Sequence, residues 1–208
     1  MKKVILTLAL AAAAAVCANA QIIVSAGYDG GTTKSTYTSG STSLTESDNY
    51  SGFYVNATYN YNIGNGLGVQ AGIGATFYGR KDVDDAVIAT YTIKYTTIEL
   101  AIPVLVNYKY QLTNDFAVGA FAGPEFGFDL VDKSKITNNK NSDVTVNNYM
   151  EDEDHQGFAL IAEEGLFVEY AQKYRLTFSA YQQLNNGTKT ENATLKNNGI
   201  SVGVSYIF

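Results

Sequence analysis

From Leu67 to Tyr78 the chain alternates without interruption. Leu67, Val69, Ala71, Ile73, Ala75 and Phe77 form one apolar face, and Gly68, Gln70, Gly72, Gly74, Thr76 and Tyr78 form the other. A period of two is the signature of a β-strand with two unlike faces. The pattern recurs from Ile98 to Tyr110, where Ile98, Leu100, Ile102, Val104, Val106, Tyr108 and Tyr110 oppose Glu99, Ala101, Pro103, Leu105, Asn107 and Lys109, so the charges fall on one side only. The last residues repeat it, with Ile200, Val202, Val204, Tyr206 and Phe208 against Ser201, Gly203, Ser205 and Ile207. Extended along the chain, the alternation predicts eight strands near 21–29, 50–61, 67–80, 91–110, 116–130, 157–170, 174–184 and 198–208.

The connections alternate in length. Segments 62–66, 111–115 and 171–173 are short turns, whereas 30–49, 81–90, 131–156 and 185–197 are longer and polar. Short turns on one rim and long loops on the other match a transmembrane barrel, with the turns in the periplasm and the loops outside. Aromatic rings favour membrane interfaces. Tyr59, Tyr61, Tyr108, Tyr110, Phe116, Tyr170, Tyr174, Tyr206 and Phe208 all fall at strand ends beside the short turns or the C-terminus, and are expected to form a periplasmic girdle. Tyr28, Phe53, Phe77, Phe126, Phe128 and Phe158 fall toward the long loops. A soluble sandwich would carry many Lys and Glu on its solvent side; here that side holds Gly, Ser, Thr and Asn, which suits a narrow, side-chain-filled lumen.

Composition narrows the reading. Residues 1–20 read as a secretory signal peptide: Lys2 and Lys3, an apolar run from Val4 to Val16, then Ala18-Asn19-Ala20 as the cleavage site. This leaves 21–208 as one barrel domain. The leader contains the single Cys and two of the 14 basic residues, so the remainder has 12 basic against 20 acidic groups and no thiol. Disulfide scaffolds, thiol catalysis and Cys-ligated zinc are excluded. The acidic balance argues against a nucleic-acid partner.

The sequence resembles the small β-barrel outer-membrane protein family (porin-like) of Gram-negative bacteria. The resemblance rests on Thr97 to Tyr110 with its Glu, Pro and closing Tyr-Lys-Tyr, on Gly119 to Pro124, on Gly165 to Tyr170 with downstream Tyr181, and on Val202 to Phe208. It implies an eight-stranded antiparallel up-and-down transmembrane β-barrel in the outer membrane, in contact with its lipid and lipopolysaccharide. A terminal Phe208 on an alternating strand is similar to the signal such proteins present to the barrel-assembly machinery. The resemblance implies no defined activity.

Strand parity sends Glu99, Glu125, Glu163 and Glu169 into the lumen, with Lys109 and Arg175 as expected partners near the bottom and Arg80 or Lys94 near the top. Glu164 falls on the apolar parity, so a bulge at Glu163-Glu164-Gly165 is expected to turn one carboxylate inward. Pro103 and Pro124 cannot donate to a ladder, and a shared bulge or kink is expected there. The sole histidine lies in the run Glu151-Asp152-Glu153-Asp154-His155, a candidate loop cation site. Pairing of His155 with Ser142 or Asp154 for catalysis has no supporting feature, and neither an enzyme nor a cofactor is expected. Together these features point to a membrane-embedded scaffold whose loops meet an unidentified extracellular ligand or serve envelope maintenance. The alternative is a small channel for ions or small solutes.

Overall fold

The computed structural model describes residues 20–85, 90–138 and 144–208. The expected signal peptide, 1–20, lies outside them except for Ala20, the first residue of β1. Nine strands run in chain order: β1 (Ala20–Ser39), β2 (Thr42–Gly64), β3 (Leu67–Asp85), β4 (Thr90–Gln111), β5 (Phe116–Asn138), β6 (Val144–Asn148), β7 (Phe158–Tyr170), β8 (Tyr174–Gln183) and β9 (Ala193–Ile207). All pairings are antiparallel. Eight strands form a ring: each pairs with its neighbour in sequence, β5 pairs with β7, and β9 returns to β1 with Ile23 opposite Ile207. The short β6 adds to the upper end of β5, with Lys133 opposite Asn148.

Closure leaves no open edge in the ring, which a lipid environment demands because no water is present to satisfy free N–H groups. Alternation then sorts the side chains. On β4, Ala101, Leu105 and Asn107 are buried in the lumen while Val104, Val106, Tyr108 and Tyr110 are exposed outside. The outer face is apolar apart from Glu164 on β7, with Ile22, Val24, Val55, Ile73, Leu166, Val168, Ile200 and Val204 exposed. Aromatic rows bound it. At the short-turn rim Phe116 meets Tyr170 with centroids 5.0 Å apart, Tyr174 meets Tyr206 at 5.6 Å and Tyr206 meets Phe208 at 4.8 Å. Tyr61, Tyr108 and Tyr110 are exposed at the same rim, and Tyr59 is half-buried. Toward the other rim Phe53 stacks on Phe77 at 4.7 Å, and Phe128 packs on Phe158 at 5.3 Å.

Inside, large rings lie on glycines of neighbouring strands, one or two strands away. Tyr54 covers Gly27 and Gly203, Phe167 covers Gly119, Phe121 covers Gly165, and Tyr181 covers Gly199. Each such glycine marks a place where a side chain would collide with the neighbouring ring. This large-on-small pairing lets an eight-stranded lumen fill with its own side chains.

Three sequence expectations are corrected. The segments 30–49, 81–90 and 131–156 are largely strand within the described residues: β1 and β2 pair all the way to Ser39 and Thr42, and β4 and β5 pair up to Tyr91 and Asn138. Their polar residues pair with one another, as in Thr32 Oγ1 to Asn49 Oδ1 at 3.0 Å and Thr36 with Thr45 at 3.1 Å, so ladder bonds form without an apolar face. The prolines create no bulge. Pro103 removes a donor, and the β3–β4 and β4–β5 ladders each lose two pairs beside it while keeping their register. No bulge occurs at Glu163–Gly165 either: β7 keeps one register against β5 and β8, so Glu163 faces the lumen and Glu164 faces outward.

A bulge does occur higher on β5. Ile98 pairs with Val131 and Glu99 with Asp129, which leaves Leu130 as the extra residue.

Candidate functional site

The lumen has two electrostatically different levels. At the bottom, Glu169 and Arg175 face each other as cross-strand partners of β7 and β8, both almost fully buried. Arg175 donates to Glu169 Oε1 from Nη2 at 2.6 Å and from Nε at 3.0 Å, and Lys109 Nζ donates to Oε2 at 3.1 Å. The remaining fork nitrogen, Nη1, reaches Gln70 Oε1 at 3.2 Å, and the guanidinium stacks over Phe167 at 4.1 Å. Below it Asn107 donates to Asn60 at 2.7 Å. A carboxylate with both oxygens engaged by cations, and a guanidinium donating on both sides, are geometrically pinned. This layer is a bonded network across the lower lumen.

The upper level is acidic. Asp29, Glu99, Glu125 and Glu163 all face inward, and among the described residues no Lys or Arg forms an ion pair with any of them. Tyr181 donates its hydroxyl to Asp29 and lies 2.9 Å from the Tyr50 hydroxyl. Glu99 is packed against Gly127, and its Oε1 is buried without a hydrogen-bond partner among the described residues. The expected upper cation Arg80 is engaged elsewhere, with Asp48 at 3.0 Å and Asp82 at 2.9 Å on the rim. The residual cavity, about 70 Å³, holds a few waters at most.

At the long-loop mouth the structure separates His155 from its acidic neighbours in sequence. Glu151, Asp152, Glu153 and Asp154 are exposed, with Asn148 Nδ2 donating to Glu151 at 2.7 Å. His155 turns inward instead. Its Nε2 lies 3.1 Å from Asp129 Oδ2 and its Nδ1 3.7 Å from Asp132 Oδ2. In a regular strand residues 129 and 132 would point to opposite faces; the bulge at Leu130 turns both inward. Sequence parity could not find this cluster, because the bulge carries no local sequence signal and the histidine comes from a distant segment. Gln70, in contrast, was legible on the polar parity of β3. Ser142 lies outside the described residues.

Comparison with known proteins matches residues 4–208 to the family model of the outer membrane protein beta-barrel domain. No curated protein matches. Among solved structures the chain is similar to the attachment invasion locus protein Ail of Yersinia pestis, solved in complex with the heparin analogue sucrose octasulfate, at 15% identity over 91% of this chain and 99% of that one, TM-score 0.43. It is also similar to Neisserial surface protein A (13%, 91% and 99%, TM-score 0.42) and to OprG of Pseudomonas aeruginosa (13%, 91% and 96%, TM-score 0.41). With the family model spanning nearly the whole chain, this protein belongs to the outer membrane protein beta-barrel domain family and resides in the outer membrane.

Proposed function

We propose that the protein is a closed outer-membrane scaffold that holds a stiff β-sheet wall above the cell surface, for surface interaction or envelope maintenance. The observation that carries this reading is the overshoot of the strands beyond the outer aromatic row. From Tyr28 the β1 strand continues to Ser39, and β2 returns from Thr42 to Phe53, on the order of 30 Å of paired strand each way. Lipid ends at the aromatic row, so this hairpin projects into the medium, stiffened by β9 on its other side up to Ala193 opposite Tyr37. A rigid display of polar side chains presents a binding surface at low entropic cost.

The Glu169–Arg175–Lys109 layer supports a filled lumen rather than the alternative of a channel. The short turns would lie in the periplasm, the barrel wall would contact lipid and lipopolysaccharide, and β9 with Phe208 would present the assembly signal to the barrel-assembly machinery.

Two measurements test the proposal. Purified barrel in planar bilayers should give no single-channel steps; stepwise conductance altered by Glu99→Gln would favour the channel. Cells displaying a chain whose β1–β2 hairpin is shortened to Gly31–Tyr50 should lose the surface adhesion or envelope resistance conferred by the full chain. Retention of both phenotypes would refute the display role.

A further inference from the structure

We infer that Asp129, Asp132 and His155 form a binding site for a single divalent transition-metal ion at the mouth of the barrel. One oxygen from each carboxylate and one imidazole nitrogen lie within 4.8 Å of one another; Asp129 faces Nε2 and Asp132 faces Nδ1, so coordination through Nε2 draws the Asp132 carboxylate along the ring edge to the ion. An imidazole with two carboxylates suits borderline ions such as Zn²⁺ or Co²⁺ and disfavours Ca²⁺ and Mg²⁺, which take oxygen ligands.

Three further features point the same way. His155 Nε2 is buried and 3.1 Å from Asp129 Oδ2, yet the pair is not in hydrogen-bond geometry and no other partner is present among the described residues. A lone pair aimed at a metal would satisfy it. Thr97 Oγ1 donates to Asp132 Oδ1 at 3.2 Å, which holds the carboxylate with Oδ2 toward the imidazole, the outer-shell support that metal ligands commonly have. The histidine backbone is held from both sides: the Asp129 N–H donates to the Gly157 carbonyl at 3.0 Å, the Lys189 N–H donates to the Asp154 carbonyl at 2.9 Å, and His155 bridges to Thr188. The backbones that carry the three ligands are thus held together before any ion arrives, by a bulge on β5 and a loop clamped between β5 and the β8–β9 connection.

Three protein ligands leave coordination positions open to water or to a donor from outside the cell. The ion would also fasten the segment preceding β7 to the β5 wall.

The chain contains one histidine, so its imidazole reports on the site without ambiguity. Barrel refolded in detergent, purified without a histidine tag and stripped with chelator, is labelled with ¹⁵N-histidine and titrated with Zn²⁺. The expected result is one saturable site per barrel, with perturbation of the imidazole resonances, and no response to Ca²⁺ at the same concentration. Asp132→Asn should abolish it, and Thr97→Val should weaken it about 10–100-fold; His155→Gln, which removes the reporter, should lose saturable Zn²⁺ binding by equilibrium dialysis. Heat-modifiable mobility of each variant verifies that the barrel is intact. An imidazole unmoved by Zn²⁺, an equal response to Ca²⁺, or Zn²⁺ affinity unchanged in folded Asp132→Asn would overturn the site and leave the trio as an ion-paired clasp.

Discussion

Arg175 grips Glu169 with two nitrogens while lying directly across from it in the β7–β8 ladder, and Lys109 from β4 takes the second oxygen. Strands β4, β7 and β8 are thereby tied together, and the Arg175 bond to Gln70 reaches β3 on the opposite side of the ring. Removing one member of a buried ionic group leaves uncompensated charge. Glu169→Gln should therefore destabilise the barrel by about 3–5 kcal/mol, read as a lower urea midpoint in lipid vesicles. The triple replacement of Lys109, Glu169 and Arg175 by apolar residues should recover most of the loss. If it does not, the layer contributes more than charge balance.

Glu164 is the reverse case. It faces lipid on β7, between Phe158 near the outer row and Tyr170 at the inner one, flanked across the ladders by Ala122 and Ala180. A carboxyl group at that depth costs energy, less than the ~2–4 kcal/mol of a basic residue. Glu164→Leu should raise unfolding stability in vesicles by about 1–2 kcal/mol. A decrease would mean that the carboxyl group has a favourable partner within the membrane.

Leu130 sets the mouth geometry. Deleting it makes Asp129, Val131 and Asp132 consecutive in a regular ladder, facing inward, outward and inward, so both carboxylates keep their side while the bend of the bulge is lost. The barrel below should remain heat-modifiable, since its register is unaffected, and the Zn²⁺ response should persist with the His155 imidazole resonances shifted by the changed carboxylate spacing. Loss of the Zn²⁺ response would show that the bend itself, and not only the inward facing of the two carboxylates, assembles the cluster.

The β7–β8 turn stores backbone strain. Ala171 and Gln172 both adopt the left-handed region, with φ of 52° and 56°, as the central residues of a tight hairpin turn. Side chains there cost roughly 1–2 kcal/mol each relative to glycine. Gln172→Gly should raise the urea midpoint, by up to about 1 kcal/mol after the added freedom of the unfolded chain is counted. No gain would indicate that the Gln172 side chain offsets the strain through contacts of its own.

The sequence by itself determined the inside and the outside of the barrel. From Glu99 to Tyr110 the alternation is strict and the ladders keep one register, so parity placed Glu99 and Lys109 inward; the same holds for Glu169 on β7, and for the aromatic residues beside the short turns. Lipid on one side and a filled lumen on the other impose opposite chemistry on successive residues, and that requirement is written locally. Tertiary structure alone decided the rest. Segment 30–49 looks like loop because its Thr, Ser and Gly serve equally well in water or in a polar ladder, and only pairing with β2 and β9 makes it strand. The expected bulge at Glu163 is absent and the real one is at Leu130, since a bulge is set by how two whole strands register rather than by the residue that bulges. Asp129, Asp132 and His155 meet for the same reason: the strand register turns both carboxylates inward, and the loop that carries the imidazole is fixed by backbone bonds to β5 and to residues beyond β8.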